Sequence, residues 1–441
     1  MSFVETDREL TRHSYYTATA PRLSAFAPLP AGEHACDVAV VGGGLAGLSA
    51  AIELRERGFA VTLLEAERIG HGASGRNGGQ AIYGLACDMT TIEDQLGRDA
   101  AQQVFAMSLE AIDLIRQRIA RFAIDCDWRD GYLGVAMNAR KARALRDEVD
   151  LLGSRYDHAL TWVAPNDLPR WIDSPRYVAA AHDPRSGHLH PLKYTLGLAQ
   201  AAASLGVSLH ESSAVTALHK DAAGVRLTTA SGASLRARHV LLAGNVYLQA
   251  LSPSLAPTLS ARIMPVGTYI VCSEAVAPDL AASLIPCGAG VCDNNFVLDY
   301  FRITADHRML YGGRVSYSTR TPMDIAASMA RRMQTTFPQL RGVQAEYAWG
   351  GFVDISMNRA PDFGRLPDFG DRVYYLQGFS GHGLALTGLA GMLVAEAIAG
   401  DASRFDVFAK LKHLSFPGGA ALRTPALVLG MAYAQLRDLL R

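Results

Sequence analysis

The chain has 441 residues, 49% of them apolar and 19% charged, which is more length than one simple domain needs and enough apolar material for a large core. Its 42 acidic and 42 basic residues cancel, so no basic stripe for nucleic acid is present. The six cysteines form no CxxC pair and no Cys/His group with zinc spacing, the pattern of free thiols in a reducing cytoplasm.

Residues Met1 to Arg12 carry charges of both signs and no apolar core, unlike a secretory signal; residues 1–35 read as an N-terminal extension. Cys36 to Ala66 then reads as one βαβ unit. Asp37 to Val41 is a buried parallel strand, Leu45 to Arg57 a helix, and Ala60 to Leu64 a second strand. Gly58 sits where a left-handed helix cap belongs. The turn between strand and helix is Gly42-Gly43-Gly44-Leu45-Ala46-Gly47, a dinucleotide-binding pattern. Gly42 permits the tight turn, Gly44 lets backbone approach a pyrophosphate, and Gly47 lets the helix pack on the strand. Leu45 and Ala46 open the helix whose free N–H groups favour the phosphates. Glu65, with Ala66 beside it, stands at the distance from which a carboxylate accepts the adenosine ribose hydroxyls; it would repel a 2′-phosphate. The plainer reading is that Glu65 ends a strand.

Gly70 to Gln80 is too polar and glycine-rich for an element. Gly72, Ala73, Ser74, Arg76, Asn77, Gly78 and Gly79 offer close backbone approach and donors to the cofactor, or else form a solvated loop. Asp94 to Arg121 and Lys141 to Ser154 have helical apolar spacing. Gly187 to Leu192 precedes a helix, Tyr194 to Leu205, ended by Gly206; Val207 to Glu211 is a strand with Val215 just beyond it. Val240 to Asn245 is a buried strand ending in a glycine turn. Arg262 to Ser273, Asn295 to Ile303 and Met309 to Val315 suit antiparallel strands, and Leu280 to Asn294 reads as a loop.

A second glycine turn, Gly378-Phe379-Ser380-Gly381-His382-Gly383, opens a small-residue helix from Leu384 to Ala399. That helix contains Glu396 and is shorter than the ~20 residues a membrane span needs. Two glycine turns so far apart suggest a cofactor long enough to need both, FAD rather than NAD. A helix start at the second turn stabilises the charge a reduced flavin builds, and His382 adds positive charge or a hydrogen bond, or only holds the turn. Thr424-Pro425 starts a last helix, expected to dock on the body or on a partner subunit of a homo-oligomer. The fold class is therefore α/β, a Rossmann-like FAD-binding domain (36–95, 180–250, 346–415) interleaved with an α+β substrate domain on an antiparallel sheet (96–179, 251–345), followed by a C-terminal helix (416–441).

Several segments resemble the FAD-dependent oxidoreductases of the D-amino-acid oxidase group, whose cofactor domain is of the glutathione-reductase type. Gly72 to Gln80, Tyr15 to Ala20, Met264 to Tyr269 and Gly378 to Gly383 are similar to its γ-glutamylputrescine oxidase branch; Trp349-Gly350-Gly351 and Arg359 to Asp362 resemble the segment that leads back to the FAD domain. The resemblance places Val215 against the adenine, Ala243 and Gly244 near the cofactor, and the Gly378 to Leu384 turn over the flavin ring. It implies that Arg302 binds a substrate carboxylate, at either the reacting or the far end of the molecule, with a structural salt bridge as the alternative. Tyr300 and Tyr269 are then pocket walls or core aromatics. Some relatives activate oxygen with a lysine; none occurs here between 221 and 409, which leaves only Lys193. The implied reaction is oxidative deamination of γ-glutamylputrescine or a similar small-molecule amine, by hydride transfer to flavin N5, with O2 reduced to H2O2 or another acceptor in its place. An amino-acid or imino-acid oxidase or dehydrogenase and a non-catalytic flavin-binding protein are the alternatives. No metal is expected.

Overall fold

The computed structural model describes residues 3–22, 25–252, 254–295, 297–316 and 325–417. Val38 to Val41 is apolar at every position because both faces of its sheet are buried: Val38 and Val40 enter a core shared with helices, and Ala39 and Val41 enter a second core shared with Val215, Val225 and Leu227. Strand Glu33–Val41 pairs in parallel with Val61–Leu64 on one side and Ser234–Leu242 on the other. Ser208–His210 and Val373–Gln377 extend the parallel set outward. An antiparallel strand, Asp362–Arg365, closes one edge, and the hairpin Val215–Lys220/Val225–Thr229 joins Ser234–Leu242. Helices Leu45–Glu56, Arg98–Phe122, Pro191–Ser204 and Gly383–Ile398 pack into one apolar core on this sheet.

The second sheet has nine strands. Ala345–Ser356, Ile263–Ser273, Met309–Ser316, Tyr300–Ile303, Gly290–Asp293, Arg129–Ala136 and Ala179–His188 run in that spatial order. Every pairing is antiparallel except Gly290–Asp293 with Arg129–Ala136. Helix Ile325–Thr336 buries Met329 and Met333 in this sheet's own core. The molecule is thus an α/β Rossmann-like unit interleaved with an α+β unit. The boundaries expected at 180 and 346 cut into two strands of the second sheet, Ala179–His188 and Ala345–Ser356.

Three expectations are corrected. Residues 280–294 are not one loop. Pro278 and Asp279 start a helix, Pro278–Leu284, and Gly290–Asp293 is a fully buried strand held between two partners. Pairing on both sides outweighs the weak strand preference of Gly and Asp there. The strand expected from Asn295 begins only at Tyr300, because Asn295 folds back onto Asp293. The helix expected from Asp94 is two helices, Met89–Leu96 and Arg98–Phe122, broken where Gly97 takes φ 84°. The helix expected after Thr424 lies outside the described residues. No single helix among the described residues is long and apolar enough to cross a membrane.

Candidate cofactor site and its surroundings

The carboxyl ends of the central parallel strands open into one cleft with ≈ 940 Å³ of empty space, solvent at its mouth included. Gly42, Gly44, Leu45, Ala46, Glu65, Ala66, Gly72, Ala73, Ser74, Val215, Ala243 and Gly244 line it, and so do Leu376, Phe379 and Thr387 from beside the second glycine turn. Gly42 has φ 115°, and a Cβ there would meet the Ala243 carbonyl oxygen at 2.7 Å. Gly47 packs against the Gly42 carbonyl so closely that any Cβ would overlap it. The Leu45 N–H, at the helix start, donates to Ser74 Oγ at 3.0 Å. Glu65 accepts the Gly43 N–H at 2.6 Å and the Glu67 N–H at 2.9 Å; burial pushes its pKa up, and no cation among the described residues pairs with it. A neutral hydroxyl donor is the partner such a carboxylate lacks. A dinucleotide fits this donor and acceptor set.

His71 also lines the cleft, whereas Arg76, Asn77, Gly78 and Gly79 do not. Arg76 pairs with Asp7, Asn77 donates to the Ala73 carbonyl at 2.9 Å and accepts the Gly79 N–H at 2.8 Å, and the Gly78 carbonyl receives Arg302 Nε at 3.0 Å. The loop's polar side chains therefore stiffen the backbone that faces the cleft.

At the other end, Asp354 braces the second turn. Its Oδ2 accepts the N–H groups of Gly378 and Phe379, the latter at 3.2 Å, and its carbonyl accepts the Ser380 N–H at 2.9 Å. Burial pushes the Asp354 carboxyl up to about 6 against the pull of those donors. Phe379 reaches the cleft; Gly378, Ser380, Gly381, His382, Gly383 and Leu384 form the turn and the helix start behind it. Burial lowers the pKa of His382, and its Nε2–H donates to the Tyr83 carbonyl at 2.8 Å. This histidine is a neutral donor that ties the turn to Tyr83, as in the reading in which it only holds the turn.

Arg302 is 2% exposed and pairs with no carboxylate among the described residues. Its Nε donates to the Gly78 carbonyl and its Nη2 to the Tyr16 hydroxyl at 3.2 Å. Burial, and then the Arg302 charge, push His188 and His190 down to about 3, so both are neutral neighbours. The Tyr300 ring lies against Gly78, while Tyr269 sits in a small core with Leu10, Val246 and Phe352. Lys193 is engaged by Asp127 at 3.0 Å. No group of His, Cys, Asp or Glu among the described residues could hold a metal.

Sequence reasoning missed Asp7, Tyr247 and Asp354, and placed Arg359 only within the 359–362 segment. Tyr247 lines the cleft from helix Asn245–Leu251. Arg359 has φ 59° and a buried Nε without a partner, and its charge acts on His382. A strained backbone of this kind leaves no mark in sequence.

A family model described as DAO, FAD dependent oxidoreductase, matches residues 37–397. The chain belongs to the DAO family of FAD-dependent oxidoreductases. Gamma-glutamylputrescine oxidoreductase of Escherichia coli (strain K12) is 44% identical over 432 residues, 97% of this chain and 99% of that protein. A probable oxidoreductase, OrdL, of Haemophilus influenzae is 40% identical over 96% of this chain and 97% of its own length. Among solved structures, glycine oxidase from Geobacillus kaustophilus superposes with a TM-score of 0.71 at 21% identity, covering 87% of this chain and 100% of that one. L-proline dehydrogenase from P. horikoshii gives 0.69 at 19%, covering 83% and 94%. At those identities the likeness speaks for the fold. This DAO-family member is an FAD-dependent oxidoreductase.

Proposed function

We propose that this oxidoreductase oxidises the primary amine of γ-glutamylputrescine in the cytoplasm, yielding an aldehyde, ammonia and, with O2 as acceptor, hydrogen peroxide. The observation that carries this reading is the 44% identity to the Escherichia coli gamma-glutamylputrescine oxidoreductase across nearly the full length of both chains. Bound FAD supplies the two-electron acceptor.

The chain's own groups have separate tasks in this reading. Glu65 would accept ribose hydroxyls, and the N-terminus of helix Leu45–Glu56 would hold the diphosphate. The helix that starts at Gly383 would offer its free N–H groups to the ring. Arg302, a buried cation lacking an acid, holds the far carboxylate of the substrate in its fork. Tyr300, two residues from Arg302 on the same strand, walls the same region beside Gly78.

Anaerobic titration of the yellow holoenzyme tests the proposal. γ-Glutamylputrescine should bleach the flavin absorbance, and readmitted air should restore it with release of hydrogen peroxide. Bleaching by glycine, proline or sarcosine but not by γ-glutamylputrescine would transfer the assignment to amino-acid oxidation.

A further inference from the structure

The helix Phe3–Leu10 lies outside the 37–397 span that the family shares, yet it carries a buried acid that reaches the wall of the cofactor cleft. Asp7 Oδ1 accepts Arg76 Nη1 at 2.7 Å and the Tyr247 hydroxyl at 2.8 Å. Its Oδ2 accepts Arg76 Nη2 at 3.0 Å and pairs with His71 Nε2 at 3.0 Å. The Asp7 and Arg76 side chains are only 2% and 5% exposed. These partners belong to two separate pieces of the wall. His71 and Arg76 bracket Gly72-Ala73-Ser74, the stretch that lines the cleft and receives the Leu45 N–H. Tyr247 comes from helix Asn245–Leu251, and its ring lies against Gly72.

We propose that Asp7 is a positioning residue for the cofactor, fastening the 71–76 loop to helix Asn245–Leu251 so that the N-terminal helix acts as a clasp on bound FAD. All four acceptor directions of the carboxylate are used, two of them by a bidentate guanidinium, the strongest geometry available to it. Without the acid, Arg76 would be a buried cation with no counter-charge and would move toward water, carrying the cleft-lining backbone with it. The neighbouring Arg8–Glu67 pair, with Arg8 62% exposed, adds little. The clasp does not depend on which amine is oxidised.

The test is the rate of FAD release from holoenzyme diluted into cofactor-free buffer, read as the rise of free-flavin fluorescence. Asp7→Asn should release FAD roughly tenfold faster or more, Asp7→Glu should fall between it and wild type, and Arg8→Ala should match wild type. The flavin midpoint potential should stay at the wild-type value in all three. Met333→Ala, in the core of the second sheet, is the stability control. It should lower the unfolding midpoint without speeding release. Should Asp7→Asn fail to fold, Tyr247→Phe removes one donor from the same carboxylate and should still speed release. Release from Asp7→Asn or Tyr247→Phe no faster than from wild type or Met333→Ala would overturn the proposal.

Discussion

Glu65, in the cleft wall, accepts the Gly43 N–H of the first glycine turn, and Asp354, behind the second, accepts the N–H groups of Gly378 and Phe379. Burial pushes both carboxyls up. Asp354 has a folded pKa of about 6 against an ordinary 3.8, so between those values the native state holds a proton that the unfolded chain has lost. Its contribution to stability is complete below pH 3.8 and gone above about pH 6. For that one group the loss is up to about 3 kcal/mol. Urea unfolding across pH 4 to 6 should therefore show a flatter slope in Asp354→Asn than in wild type; equal slopes would mean the carboxyl is ionised throughout. Asp7 has the opposite sign. Burial alone would raise it, but the His71 and Arg76 hydrogen bonds outweigh burial and hold it at about 2. Its support is present above pH 3.8 and is lost as pH falls toward 2, so the urea midpoint should fall more steeply below pH 3.8 in wild type than in Asp7→Asn. At the first turn, Gly47→Ala puts a methyl into the Gly42 carbonyl and should abolish FAD retention in dialysed protein.

Helix Gly383–Ile398 meets helix Leu45–Glu56 at backbone distance. Ser49 Oγ donates to the Gly388 carbonyl, and a Cβ on Gly391 would stand 2.5 Å from the Ala46 carbonyl oxygen. Gly391→Val should force the two helices apart and cost about 1–3 kcal/mol or more in thermal unfolding. This contact also shows what can be read from sequence. The small-residue run from Leu384 reads correctly as a buried helix, and the opening βαβ turn falls where its glycines place it. Both are local patterns. The roles of Asp7 and Asp354 are not local. Asp7 finds Arg76 and Tyr247 far along the chain, and its own helix has no motif. Arg76 looks like a ligand donor in sequence because the acid that occupies it is invisible there. Arg302 invites a salt-bridge reading by composition, yet its bonds go to a carbonyl and a phenol.

The two sheets are not stacked modules. Strand Ala345–Ser356 spans the edge of the second sheet and carries Asp354 to the second glycine turn, while Ala179–His188 leads directly into the helix Pro191–Ser204 that covers the first sheet. Heating the holoenzyme should give one transition, with intrinsic fluorescence and flavin release coinciding; two separated transitions would mean the sheets unfold independently. Excess FAD should move that transition upward, since a ligand at 100 times its dissociation constant stabilises by about 2.7 kcal/mol. The cleft also draws on residues as distant as Val41 and Thr387. A nascent chain still on the ribosome therefore exposes the first glycine turn long before the second has been synthesised. Cofactor capture must await near-complete translation, and until then bound flavin gives the half-built walls no shelter.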